Sequence, residues 1–367
     1  MMAYHKRRSS LPAIMNETHS TLVRRNTIFV CEKFEQPTFR PKRRRNELSI
    51  VRVKLDTVFN HLPKKSPDLE TLTKLPKLDL GRNLDVDETL KSFKDYHRIN
   101  VMAKLFISIL NTHENSLTSH DLDCLYNLLI QVENCYLENA YHNSCHAIDV
   151  LATTEVLLNI LNSKVKISFE QRFALLFAAA CHDIAHPGVT SNFIKSYFPS
   201  KSENYTNDSG LLEQMHAKIS LQLLRDSGFS AEKMIDLEPM IFDAIMATDM
   251  TKHNEQIDML KSIVPENLKN LLPIVLHAAD IFNPIKQFEH AMFWGRKIFI
   301  EMETQEHLDR ALKELEVTDM NPVKLQIGFI QFFAKPFFDV FSQVIGCPEI
   351  IERLDVNFSI FSNLNSM

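Results

Sequence analysis

The apolar residues of this chain recur at helical spacing over most of its length. Between residues 86 and 110, Leu90, Phe93, Ile99, Met102, Phe106 and Leu110 fall at the intervals that line one helix face. Leu122, Leu125, Leu129, Val132 and Tyr136 repeat the pattern. Further stripes predict helices over about 143–162, 169–185, 191–198, 210–227, 231–249, 254–262, 267–282, 284–303 and 321–345. Strand-like alternation is scarce, and no repeat of solenoid length is present. The expectation is an all-α fold with one large multi-helix domain over residues 81–350. A basic, disordered N-terminal tail (1–80) precedes it and a short C-terminal tail (351–367) follows.

Composition narrows the chemistry. The 367 residues include only 7 Gly, where ordinary usage gives about 25. Neither G-x-G-x-x-G nor G-x-x-x-x-G-K-[ST] occurs, which argues against a Gly-loop nucleotide fold. The six Cys (Cys31, Cys124, Cys135, Cys145, Cys181, Cys347) form no C-x-x-C, as in a reducing compartment. Cys145 and Cys181 fall on apolar helix faces and are expected to pack. With no run of 18 apolar residues and a charged start, no transmembrane segment and a cytoplasmic location are expected.

The net charge of −5 is unevenly placed. Residues 1–65 hold 15 Lys and Arg against 5 Asp and Glu; of the totals 41 and 46, that leaves 26 basic and 41 acidic residues beyond them. An acidic body argues against nucleic acid as the main partner. Pro41–Arg45 (PKRRR) is a candidate nuclear-import or acidic-surface patch, with a solvated tail as the plainer reading.

Four His stand close together: His142 and His146, four apart and on one helical face, then His182 and His186. Asp149 follows His146 by three residues, and Asp183 is adjacent to His182. The second pair ends an apolar run, Phe173–Cys181, and Pro187-Gly188 is expected to stop that helix. A third apolar segment, Leu271–Asp280, ends in His277-Ala278-Ala279-Asp280. A lone His on an apolar face is usually a satisfied core residue, but several such groups together are costly to bury unless paired or metal-bound. Nitrogen and oxygen donors without thiolate suit Zn²⁺, then Mg²⁺ or Mn²⁺, and a carboxylate such as Asp183 can bridge two metals. No G-x-S-x-G accompanies the His, which argues against a serine hydrolase. The sequons at Asn204 and Asn207 carry little meaning without a secretory signal.

These strings, with NDSGLLE, MATDMTKH, HAADIFNP and QIGF, occur in an order that resembles the catalytic domain of class I cyclic nucleotide phosphodiesterases, over roughly 85–345. The resemblance implies His146, His182, Asp183 and Asp280 as ligands of Zn²⁺, with Asp183 bridging to Mg²⁺ (or Mn²⁺). It implies hydroxide attack on phosphorus in line and His142 as the acid that protonates the leaving 3′-oxygen. It further implies that His186, Glu213 and Thr248 orient metal-bound waters and the acid, and that Gln326 hydrogen-bonds the purine. Phe329 and Ile298 would clamp the ring, and Tyr141, Met250, Ile281, Asn283, Trp294 and Met302 would line the pocket. Two positions depart from the family pattern: Glu213-Gln214-Met215-His216 keeps one of two adjacent His, and Met302 replaces a bulky aromatic.

The substrate so implied is cyclic AMP, since Asn283 resembles the cyclic-AMP-selective branches, although the Gln326 amide can serve either purine. The alternatives are a dual cyclic AMP/cyclic GMP enzyme, another HD-type nucleotide phosphohydrolase, and an inactive cyclic-nucleotide-binding scaffold. In the tail, Arg7–Leu11 and Arg24–Ile28 both spell R-R-x-[ST]-apolar. That resembles the substrate pattern of cyclic-AMP-dependent protein kinase, with Ser10 and Thr27 as acceptors.

Overall fold

The computed structural model describes residues 75–366, apart from 76, 97–99, 114–116, 203–209, 230 and 314–320. The N-terminal readings at Ser10, Thr27, Cys31 and Pro41–Arg45, and the sequons at Asn204 and Asn207, lie outside the described residues. Among the described residues every regular element is helical, in line with the periodicity.

Side-chain caps set several helix starts. Thr118 and Asp121 form a capping box before α3 (Ser119–Cys135), and Ser168 and Gln171 do the same before α5 (Phe169–Cys181). Asn143 opens α4 (Ser144–Leu161) by accepting from the Cys145 and His146 amides. The stripe over 86–110 is two helices, α1 (Val86–Tyr96) and α2 (Val101–Leu110). Asn100, with φ 55°, takes the left-handed conformation that a continuing helix forbids.

Helix α5 is the centre of the core. Ten consecutive residues, Arg172–Cys181, are buried, so the helix has no solvent face. It packs against α4 and α8 (Ala231–Met246), with α6 (Ser191–Tyr197) and α7 (Leu211–Asp226) between them in sequence. Its one charged interior residue, Arg172, is held by Glu155 at 2.6 Å and Asn159 at 3.0 Å. Helix α4 is long and apolar enough to cross a membrane by length and composition alone. It is 83% buried inside the protein, as a core helix is. Asp149 on α4 meets the fully buried Lys286 ammonium at 2.9 Å, with Asp87 at 3.5 Å on its other side. The carboxylate is thereby used in the core, away from the His cluster.

Three further differences from the periodicity matter. Helix α5 stops at Cys181, four residues early, because residues 182–185 form turns and Ala185 has φ 61°. The run 321–345 is α12 (Pro322–Phe329), a π-helical turn (Ile330–Ala334) and α13 (Lys335–Ile345). The segment assigned to a C-terminal tail is mostly α14 (Glu349–Asn365), which buries Ile350, Leu354, Asn357 and Phe361 at helical spacing. At the other end, Leu75 and Leu80 are already part of the core. The other long helices are α9 (His253–Ser262), α10 (Leu272–Asp280) and α11 (Phe288–Leu312).

Candidate active site

Three helix ends meet at one point. His146 lies in the first turn of α4, His182 and Asp183 follow the last residue of α5, and Asp280 closes α10. The ligand atoms of these four residues all lie within 4.8 Å of one another. His182 Nε2 is 3.0 Å from Asp183 Oδ2 and 3.3 Å from Asp280 Oδ1. His146 Nε2 is 3.0 Å from Asp280 Oδ1 and 3.7 Å from Asp183 Oδ2. Donors 2.0–2.2 Å from a shared ion stand roughly 3–3.5 Å apart, so the spacing fits a divalent cation.

The protonation pattern fits as well. His182 donates from Nδ1 to the Ala179 carbonyl at 2.9 Å, which fixes the tautomer and leaves Nε2 a lone pair. That buried Nε2 has no hydrogen-bond partner although two carboxylates face it. A lone pair aimed at two anions calls for positive charge between them. With no cation there, the Asp183 and Asp280 carboxylates would draw a proton onto this nitrogen instead: against the cost of burial they hold the His182 pKa well above the usual histidine value. Asp183 also turns its second oxygen, Oδ1, toward His216 Nδ1 at 3.8 Å, so its two oxygens face different sides. His216 is buried with neither nitrogen hydrogen-bonded, and burial lowers its pKa to about 4.

Beside the cluster stands a second trio, His142, His186 and Glu301. Glu301 was absent from the sequence reading. Its Oε2 accepts from the Tyr141 and His142 amides at 3.0 and 3.2 Å, and its Oε1 pairs closely with His142 Nδ1. The second imidazole nitrogen of His142 is thus left for other work. Burial alone would lower the His142 pKa, but Glu301 and then Asp183 raise it to about 9. Reciprocally, burial would raise Glu301, but His142 lowers it to about 2. The signal for Glu301 is its place on the face of α11 that also carries Trp294 and Ile298, at i, i+4 and i+7.

His186 stacks on His142 with ring centroids 3.9 Å apart and accepts from the Gly188 amide through Nδ1 at 3.0 Å. Asn139 joins the two motif turns by donating to the His142 and His186 carbonyls at 2.8 and 2.7 Å. Gly188 has φ 78°, and a Cβ there would sit 2.7 Å from Asn139 Oδ1, so only glycine lets the turns close on each other. Glu213 lies in the first turn of α7, where burial and then the Asp249 and Asp183 charges raise its pKa to about 7. Thr248 is buried and donates to the Ile245 carbonyl at 2.8 Å. His277, one turn before Asp280, points away from the cluster to His253. Cys181 is buried as expected, but Cys145 is exposed in the first turn of α4, before the helix enters the core.

A cavity of about 530 Å³ opens from this centre and shares His142 and Asp280 with it. Tyr141, Met250, Ile281, Asn283, Trp294, Ile298, Met302, Gln326 and Phe329 all line it. Asn283 donates from Nδ2 to the Tyr141 hydroxyl at 2.6 Å. Gln326 is buried, and a Cβ on Gly295 would lie 2.9 Å from its Oε1, so the absent side chain makes room for the amide. Phe329 stacks on Phe333 at 5.8 Å and 22°. Trp294 both lines the cavity and packs, edge-on to Tyr141 at 5.7 Å.

The profile of the 3′5′-cyclic nucleotide phosphodiesterase family matches residues 141–356. Among curated proteins, the chain is 30% identical over 261 residues to rat 3′,5′-cyclic-AMP phosphodiesterase 4C, covering 64% of this chain and 48% of the relative. It is 29% identical over 273 residues to the mouse high affinity cAMP-specific and IBMX-insensitive 3′,5′-cyclic phosphodiesterase 8A, covering 63% of this chain and 33% of the relative. The chain therefore spans half or less of the length of these relatives. Among solved structures, the phosphodiesterase domain of the Salpingoeca rosetta rhodopsin phosphodiesterase superposes with a TM-score of 0.63 at 26% identity, covering 82% of this chain and 95% of that domain. With more than half of its residues matched by the family profile, the chain belongs to the 3′5′-cyclic nucleotide phosphodiesterase family.

Proposed function

We propose that this protein hydrolyses 3′,5′-cyclic AMP to 5′-AMP with two divalent cations. His146, His182, Asp183 and Asp280 would hold Zn²⁺, and Asp183 would also serve a second cation, Mg²⁺ or Mn²⁺. The observation that carries the reading is that one four-donor cluster and one base-sized cavity have His142 and Asp280 in common. Cations bound there supply Lewis acidity and activate water.

The chain's own residues do the rest. Glu301 orients His142 and keeps it protonated, so that its free nitrogen can give a proton to the 3′-oxygen as the P–O3′ bond breaks. His186 packs the acid from behind, while Glu213 and Thr248 would orient water on the second cation. Gln326 hydrogen-bonds the purine between Phe329 and Ile298. With Nδ2 engaged by Tyr141, Asn283 keeps its carbonyl oxygen as an acceptor. An acceptor suits the adenine amino group and repels the guanine carbonyl, which favours cyclic AMP over a dual specificity. The relatives named for cyclic AMP point the same way.

Purified protein supplied with Zn²⁺ and Mg²⁺ is expected to turn over cyclic AMP faster than cyclic GMP and to leave ATP intact. Turnover of ATP alone would favour a general phosphohydrolase, and binding without turnover an inactive scaffold. For the tail we propose phosphorylation at Ser10 and Thr27 by cyclic-AMP-dependent protein kinase. Kinase treatment that labels neither residue refutes it.

A further inference from the structure

One buried pair bears on the cavity wall from behind. Residues Ile330–Ala334 form a π-helical turn within the run of α12 and α13. Such turns widen the helix, displace carbonyls from the regular ladder and recur at functional sites. The Phe333 carbonyl on this turn meets His253 Nε2 at 3.2 Å, and His253 Nδ1 meets His277 Nε2 at 2.9 Å.

The proton positions follow from the acceptor at one end. A carbonyl oxygen only accepts, so His253 carries its proton on Nε2 and presents a lone pair at Nδ1. His277 must then donate from Nε2, which leaves its own Nδ1 bare. That atom is buried without a hydrogen-bond partner, as the assignment requires. Both rings are almost completely buried, and Phe337 fixes them by stacking on His253 at 5.4 Å and meeting His277 edge-on at 5.2 Å. Phe333 stacks on Phe329, and both line the cavity, whereas His253 does not.

We infer that His253 is a positioning residue for the nucleobase wall: its Nε2–H pins the Phe333 carbonyl and so holds Phe329 and Phe333 where a base stacks. His277 supports it by donating into Nδ1, which ties the wall to α10, the helix that ends in Asp280. The kinetic consequence rests on the proposed hydrolysis; the pinning of the turn does not.

Two conservative variants of the full chain separate the bond from general stability. The amide nitrogen of glutamine reaches the place of imidazole Nε2, whereas that of asparagine reaches only the place of Nδ1. His253→Asn is expected to raise KM for cyclic AMP roughly 3- to 10-fold, with kcat changed by less than about twofold. It should also speed backbone amide exchange locally over residues 329–337. His253→Gln should keep KM and exchange near wild type. Equal KM and equal exchange in the two variants overturn the inference, as does faster exchange spread through the whole chain. A wild type without cyclic AMP turnover would refute the hydrolase reading, while the exchange comparison still decides whether His253 holds the turn.

Discussion

Replacing Glu301 by Gln removes the charge beside His142 while keeping an acceptor for the Tyr141 and His142 amides. In the wild type, burial lowers the His142 pKa, but Glu301, and after it Asp183, raise it to about 9. Without Glu301 the largest raising influence is gone, and burial opposes what Asp183 and Asp280 still contribute. The His142 pKa should then fall back toward about 6.5. An acid must be protonated to act, so the protonated fraction at about pH 8 drops roughly 30-fold, and at about pH 6 by less than twofold. The assay is kcat for cyclic AMP across the pH range, with bound metal measured alongside. The wild type should lose activity only as the pH rises through about 9, and Glu301→Gln on the alkaline side of neutrality. The raised pKa also stabilises the folded chain below the unfolded value of about 6.5, a contribution lost as the pH rises through about 9. An alkaline limb unchanged in Glu301→Gln, with metal retained, would refute the coupling of acid and carboxylate.

Asp183→Ala should abolish turnover and bound metal together, whereas His142→Ala should lower kcat by roughly 10²–10⁴-fold with metal content intact; elemental analysis beside the kinetics checks both. Gly188→Ala adds a Cβ 2.7 Å from Asn139 Oδ1 at φ 78°. Its strain of about 1–3 kcal/mol should lower the melting temperature by several degrees, and an unchanged melting curve would contradict the packing of the two motif turns. Gly295→Ala should stabilise α11 by roughly 0.5–1 kcal/mol as an isolated change. It should nonetheless raise KM for cyclic AMP, because the new methyl meets the Gln326 amide at 2.9 Å. An unaltered KM would separate Gln326 from base recognition.

Much of this architecture is written in spacing. The apolar stripes mark nearly every helix, and the paired His and His-Asp strings mark the cluster, because ligands to one cation must come from residue types that are rare on apolar faces. Breaks and long-range partners are less legible. The start of α2 is set at Asn100 and the end of α5 at Ala185, single left-handed residues with no glycine to announce them. Helix α14 was readable from Ile350, Leu354 and Phe361, but polar residues between them mask the stripe. Glu301 approaches His142 from 159 positions away, so the motif's own surroundings give no sign of it. Asp149 shows the converse: it stands one turn from His146 in the motif, while its partner is the buried Lys286.

Hydrolysis of the P–O3′ bond by water is the central claim, and the most direct test is to incubate the metal-replete chain with cyclic AMP in ¹⁸O-labelled water. The account predicts 5′-AMP carrying a single solvent oxygen on its phosphate. Formation of 3′-AMP, or no product with Zn²⁺ and Mg²⁺ bound, would contradict it.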